Sequence, residues 1–191
     1  MPLVLDASLL RVDELVGLIV SELGRTSPRC GDTTVLALDG GAGAGKTTLA
    51  ALLEAALPES AVLHTDELLQ GWDDQFTFWP RLRADVLAPI AAGAPGQYDG
   101  FDWMYEEPAG PAEVPVTDVL IVEGVSAIAA CAEIASLRVF CELQRAERER
   151  RWALRDGMPV QPRWRAWLDA EDEFFAAHPP PADIVVRTVR A

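Results

Sequence analysis

Lys46 is the single lysine of the 191-residue chain; the other fifteen of its 16 basic residues are arginines. It stands in Gly40-Gly41-Ala42-Gly43-Ala44-Gly45-Lys46-Thr47, which fits G-x-x-x-x-G-K-[ST]. Glycines in that pattern let successive backbone N–H groups turn inward and form a nest for an anion. The helix that follows presents free N–H donors and the positive end of its dipole. Gly41, Ala42, Gly43, Ala44, Gly45, Lys46, Thr47 and Thr48 are therefore read as the phosphate-binding set. Lys46 places a mobile point charge on the β- and γ-phosphates of a bound nucleotide, and the Thr47 hydroxyl is a ligand for Mg²⁺.

The flanking residues pass the test that such a loop demands, a strand before it and a helix after it. Thr33 to Asp39 is a β-branched and apolar run, as expected of a strand buried on both faces. Thr48 to Leu57 is rich in helix formers and stops at Pro58. Further strands are expected at 61–64, 116–122, 137–141 and 183–187. Helices are expected after Asp6 or Ser8 and over 79–92, 126–136, 142–156 and 162–177, with 96–115 irregular. Strands alternating with helices imply a single α/β domain over 1–191, with a mostly parallel five-stranded sheet in a three-layer sandwich. Ligands of such sheets collect at the carboxyl ends of the strands, which singles out Asp39, Asp66, Glu123 and Glu142.

Composition narrows the classes. Half of the residues are apolar and about a quarter are charged, as in globular proteins. The net charge of −14 argues against nucleic acid as a partner. No apolar run is long enough for a membrane span, and Met1 to Asp6 lacks the basic start of a signal peptide. Cys30, Cys131 and Cys141 have no metal or redox spacing and read as small buried hydrophobes in a reducing cytoplasm. The chain contains no asparagine, which removes the Asn-Lys-x-Asp guanine motif and the protein-kinase catalytic loop. The assembly is left open, a homodimer being the one considered.

Four segments together resemble the uridine kinase and phosphoribulokinase branch of the P-loop small-molecule kinases. They are Leu38 to Thr48, His64-Thr65-Asp66-Glu67-Leu68-Leu69, Val119 to Val125 closing in Glu123-Gly124, and the arginine-rich Arg148 to Asp156. The resemblance implies ATP- and Mg²⁺-dependent phosphoryl transfer to a hydroxyl of a small metabolite, such as a nucleoside or sugar-like acceptor. A nucleotide-binding regulatory NTPase is the alternative. By the same resemblance Asp66 is the general base on the acceptor hydroxyl, though an aspartate at a strand–helix junction also suits an N-cap. Thr65 stands where the branch carries a second aspartate. Glu123 occupies the place of the Walker-B acid, a Mg²⁺ or substrate ligand. Arg148, Arg151 and Arg155 share one helix face. The resemblance makes that segment, approximately 142–160, a small helical lid with Arg151 and Arg155 catalytic. Tyr98, Asp99 and Asp102 are the acceptor-binding candidates. Trp164, Trp167, Leu168, Phe174 and Phe175 read as core, and His64 and His178 as outside the catalysis.

Overall fold

The computed structural model describes residues 1–157 and 161–188, with the backbone alone for Arg155 and Asp156. Its centre is β2 (Thr34–Asp39), with Val35, Leu36, Ala37 and Leu38 fully buried. Burial of each such large aliphatic side chain contributes about 1.5–3 kcal/mol. The alternation along β2 supplies both layers. Leu36 and Leu38 pack against Ile19 of α1 (Val12–Leu23) and Leu53 of α2 (Lys46–Ala56). Val35 and Ala37 face the other way, toward Leu82, Val86, Ile128 and Leu168. An unbroken apolar run is what a strand covered on both faces requires.

Around β2 lie β1 (Leu3–Asp6), β3 (Ser60–His64), β6 (Val119–Glu123), β7 (Ala135–Glu142) and β8 (Ile184–Arg187). The order is β1-β8-β7-β2-β6-β3, and every pair in this sheet is parallel. The sheet thus has six strands rather than five. The added strand is β1, a four-residue edge strand with three of its residues at least partly exposed. Asp6 does not cap α1; its carboxylate accepts from the Ser8 amide at 2.9 Å in a local turn. The helix begins after Arg11, where Glu14 reaches back to the Arg11 amide at 2.9 Å.

The stretch read as irregular forms a β-hairpin, β4 (Gly96–Asp102) with β5 (Glu107–Val114). Pro108 and Pro111 disguise it, and a two-stranded ribbon tolerates them because one edge of each strand has no partner. The helical stretch expected over 79–92 runs as α3 (Trp79–Arg81), a π-helical segment (Leu82–Leu87) and α4 (Ala88–Ala91). The π turn is closed by the Ala88 amide on the Arg83 carbonyl, just before Pro89, which has no N–H to give. The helix expected over 126–136 shortens to α5 (Ala127–Ala130), because β7 already starts at Ala135. Two longer helices, α6 (Arg145–Asp156) and α7 (Pro162–Ala177), follow β7. Part of the expected lid, 158–160, lies outside the described residues. Among them no helix is long and apolar enough to cross a membrane.

Candidate active site

The loop between β2 and α2 has the backbone that its glycines permit. Gly40, Gly43 and Gly45 have φ of 142°, 80° and 97°, values that other residues rarely adopt. Its base is fixed by Asp39, whose carboxylate accepts from the amides of Gly40 (2.6 Å), Ser126 (2.8 Å) and Ile128 (3.0 Å). Burial pushes the Asp39 carboxyl up to about 6, against the pull of those amides and of Lys46. Asp39 therefore splices the β2 end to the turn after β6. Lys46 is buried and donates to the Gly41 carbonyl at 3.2 Å.

Glu123 ends β6, next to β2, so its carboxylate comes beside the first turn of α2. Its Oε1 accepts from Thr47 Oγ1 at 3.0 Å and lies 2.6 Å from His64 Nδ1. Burial pushes the Glu123 carboxyl up, but His64, Lys46 and Thr47 outweigh this and hold it below its usual range. His64 is raised in turn, chiefly by the same hydrogen bond. Glu123 Oε2 is buried with no hydrogen-bond partner. A hydroxyl and an orphaned carboxylate oxygen at the mouth of a phosphate nest fit Mg²⁺, which takes one or two protein oxygens plus phosphate and water. His64, set aside in the sequence, orients the carboxylate; the period-2 pattern of β3 gave no sign of that. Gly124 follows with φ of 149°, and a Cβ there would lie 1.7 Å from Thr65 Oγ1. Thr65 is thus buried against the β6 turn.

Asp66 sits in the 3₁₀ turn Thr65–Leu68 directly after β3, where the N-cap position falls on His64. The Asp66 carbonyl accepts from Trp103 Nε1 at 2.9 Å. Asp66, Glu123, Lys46, Thr47, Ala42 and Gly43 line one cavity of about 430 Å³. Its far wall is aromatic: Trp72, Trp103, Trp152, Trp164 and Trp167, five of the six tryptophans in the chain. Trp164 and Trp167, read as core, are correctly placed against the core cluster but also face this cavity. Leu168 is core outright, fully buried. Tyr98, Asp99 and Asp102 are absent from the lining. Tyr98 donates its hydroxyl to Glu67, Asp99 faces a separate surface hollow, and Asp102 accepts from the amides of Met104 and Tyr105. Their stretch contributes Trp103 instead.

The helix α6 lies on the phosphate loop. A Cβ on Gly43 would come within 2.8 Å of the Arg148 carbonyl oxygen, and one on Gly41 within 2.2 Å of Arg148 Nη1. Arg151 Nη1 is 3.9 Å from the corresponding point on Gly45, so both guanidinium groups stand over the loop. Glu147 accepts from Arg151 Nε at 3.1 Å. The Arg155 side chain is outside the described residues. Arg148 Nη1 donates to Glu171 of α7 at 2.7 Å, and both side chains are almost wholly buried. Glu171 also accepts from Trp167 Nε1 at 2.7 Å and from the Ala42 amide at 3.0 Å. Burial pushes the Glu171 carboxyl up, against the pull of Lys46 and Arg148. No sequence motif pointed to Glu171; an acid at the i+4 position from Trp167 on a half-exposed helix carries no distinctive pattern. Cys30, Cys131 and Cys141 are buried free thiols, as their spacing implied.

A six-stranded parallel sheet with helices on both faces and a glycine-rich loop closing on α2 is the P-loop kinase α/β fold. Among the solved structures that carry it are two whose names give assigned rather than established activities. One is a uridine kinase from Bacillus stearothermophilus, at 18% identity and a TM-score of 0.60, with 92% of this chain and 96% of that one covered. The other is a fructose transport system kinase from Silicibacter sp. TM1040, at 21% identity and a TM-score of 0.58, with 92% and 98% covered. No family model and no curated protein matches the sequence.

Proposed function

We propose that the protein transfers the γ-phosphoryl group of ATP to a hydroxyl of a small metabolite, with Mg²⁺ present. The observation that carries this reading is the convergence of Lys46, Thr47, Glu123 and Asp66 on one cavity that continues past the phosphate loop. A regulatory NTPase needs the loop but no room beyond it; the aromatic chamber favours an acceptor.

The loop amides and Lys46 hold the triphosphate tail and take up the charge that develops as the phosphoryl group leaves. Thr47 and Glu123 are the protein oxygens that would hold Mg²⁺, which would supply charge neutralisation. Asp66 accepts the proton of the acceptor hydroxyl as its oxygen bonds to the γ-phosphorus. The bond to the β–γ bridging oxygen breaks, and ADP departs with that electron pair. Arg148 and Arg151, brought over the loop by α6, exclude water, which would otherwise compete as acceptor.

The test is a screen of nucleosides, sugars and related alcohols with ATP labelled at the γ-position. Wild type is expected to label at least one acceptor, and Lys46→Ala to label none while keeping its far-UV spectrum. Transfer retained by Lys46→Ala, or wild type labelling only water, refutes the reading.

A further inference from the structure

The tryptophans of the cavity are arranged in two distinct ways. Trp152 and Trp164 lie parallel, 11° between planes and 5.1 Å between centroids, stacked on each other with no slot between them. Trp72, Trp103 and Trp167 are mutually near-perpendicular, at 79°, 89° and 87°. Their centroids are 5.2, 5.8 and 6.0 Å apart. Three rings meeting edge to face at that spacing make an aromatic corner in the cavity wall. A flat heterocycle wants parallel plates; a corner suits a compact, rounded group. Ring quadrupoles attract positive charge over a range of about 6 Å from the centroid, so a cation in the cavity beside these rings is attracted by them.

The charges agree. Among the described residues the cavity is lined by the carboxylates of Asp66 and Glu123 and by one basic residue, Lys46, which is turned to the Gly41 carbonyl. The chain as a whole carries a net charge of −14. From outside the cavity lining, Arg163 already places its guanidinium carbon 5.0 Å from the Trp72 centroid. The corner also touches the proposed chemistry, since the Trp103 indole donates to the Asp66 carbonyl.

We propose that this corner binds an organic ammonium group, and that the acceptor is a short amino alcohol whose hydroxyl reaches Asp66. The second half rests on the kinase reading; the first does not. In the transfer, the acceptor oxygen bonds to the γ-phosphorus, its proton goes to Asp66, and ADP leaves with the electrons of the broken bond. The ammonium group is untouched and serves as the handle.

The experiment compares choline with its neutral tert-butyl isostere, and with uridine, by tryptophan quenching and calorimetry. Choline should bind wild type at least tenfold more tightly than the isostere. Trp103→Leu should lose that preference, and Trp103→Phe should keep most of it. Equal binding of choline and the isostere, or tighter binding of uridine, overturns the assignment. The wild-type comparison decides the matter even if the leucine variant does not fold. Transfer from labelled ATP is then measured with the same compounds. Choline binding selectively while no alcohol of the full screen receives phosphate leaves the cage standing and removes the kinase reading. Phosphorylation of the neutral alcohol with no preference for the cation does the reverse.

Discussion

Seating of α6 on the phosphate loop depends on Gly43 having no side chain, and Gly43→Ala tests this against a matched control. Gly43 has φ of 80° and Gly93 has φ of 77°. An alanine at either site carries the same left-handed strain, about 1–2 kcal/mol. Around Gly93 nothing lies within 4 Å of an added Cβ. At Gly43 that atom meets the Arg148 carbonyl oxygen at 2.8 Å and its Cα at 3.2 Å. These are backbone atoms, so relief requires α6 to move. Overpacking of this kind costs about 1–3 kcal/mol. Taking about 2 kcal/mol as the excess over the control, the seated form of α6 loses roughly 30-fold in population, at 1.4 kcal/mol per tenfold. The reporter is Trp152 on α6, stacked on Trp164 of α7. In the protein without nucleotide, Gly43→Ala should raise acrylamide quenching and weaken the near-UV signal of that pair. Gly93→Ala should lower stability by about 1–2 kcal/mol and leave both signals at the wild-type level. Identical spectra for the two variants would refute the contact between α6 and the loop.

Asp66→Asn should keep nucleotide affinity, measured by calorimetry, and reduce turnover by about 10²–10⁴-fold, the usual weight of a general base. Wild-type turnover in that variant would remove the base assignment. Asp39 has a folded pKa raised from 3.8 to about 6. A raised carboxyl contributes stability that is complete below the ordinary aspartate range and is lost as pH climbs through about 6. Urea unfolding should therefore show wild type losing on the order of 2–3 kcal/mol between pH 4 and 7 relative to Asp39→Asn. Parallel profiles would show that Asp39 does not titrate in that window. Gly124→Ala forces a Cβ to 1.7 Å from Thr65 Oγ1 at φ of 149°. It should cost more than about 4 kcal/mol, with partial recovery when Thr65→Ala is added; thermal unfolding without that recovery would place the strain elsewhere.

The phosphate loop and its two flanking elements were legible because three signals coincide there: glycine spacing, an apolar strand and a run of helix formers. The bounds of α7, Pro162–Ala177, were also plain, opening with proline and ending before Pro179. The hairpin β4–β5 was hidden because its glycines and prolines read locally as breakers, while its pairing is set across the ribbon. The first strand was hidden by brevity and exposure. At the site, Asp66 and Glu123 could be found as polar residues closing apolar strands. The aromatic corner could not, since Trp72, Trp103 and Trp167 come from a loop, a hairpin tip and a helix, and only tertiary structure brings them together. Glu171 and His64 act through neighbours distant in sequence, a relation that no local period encodes.

Helix α7 bears on both ends of the chamber at once. Through Glu171 it grips the Ala42 amide, and through the same carboxylate it holds the indole of Trp167. On the proposed reading, a phosphate that draws the loop toward itself pulls on one arm of a lever whose other arm is a wall of the acceptor pocket. Thermodynamic reciprocity then requires the acceptor to alter nucleotide affinity by the same factor that nucleotide alters acceptor affinity. On that reading, the coupling between the two ligands runs through one buried carboxylate.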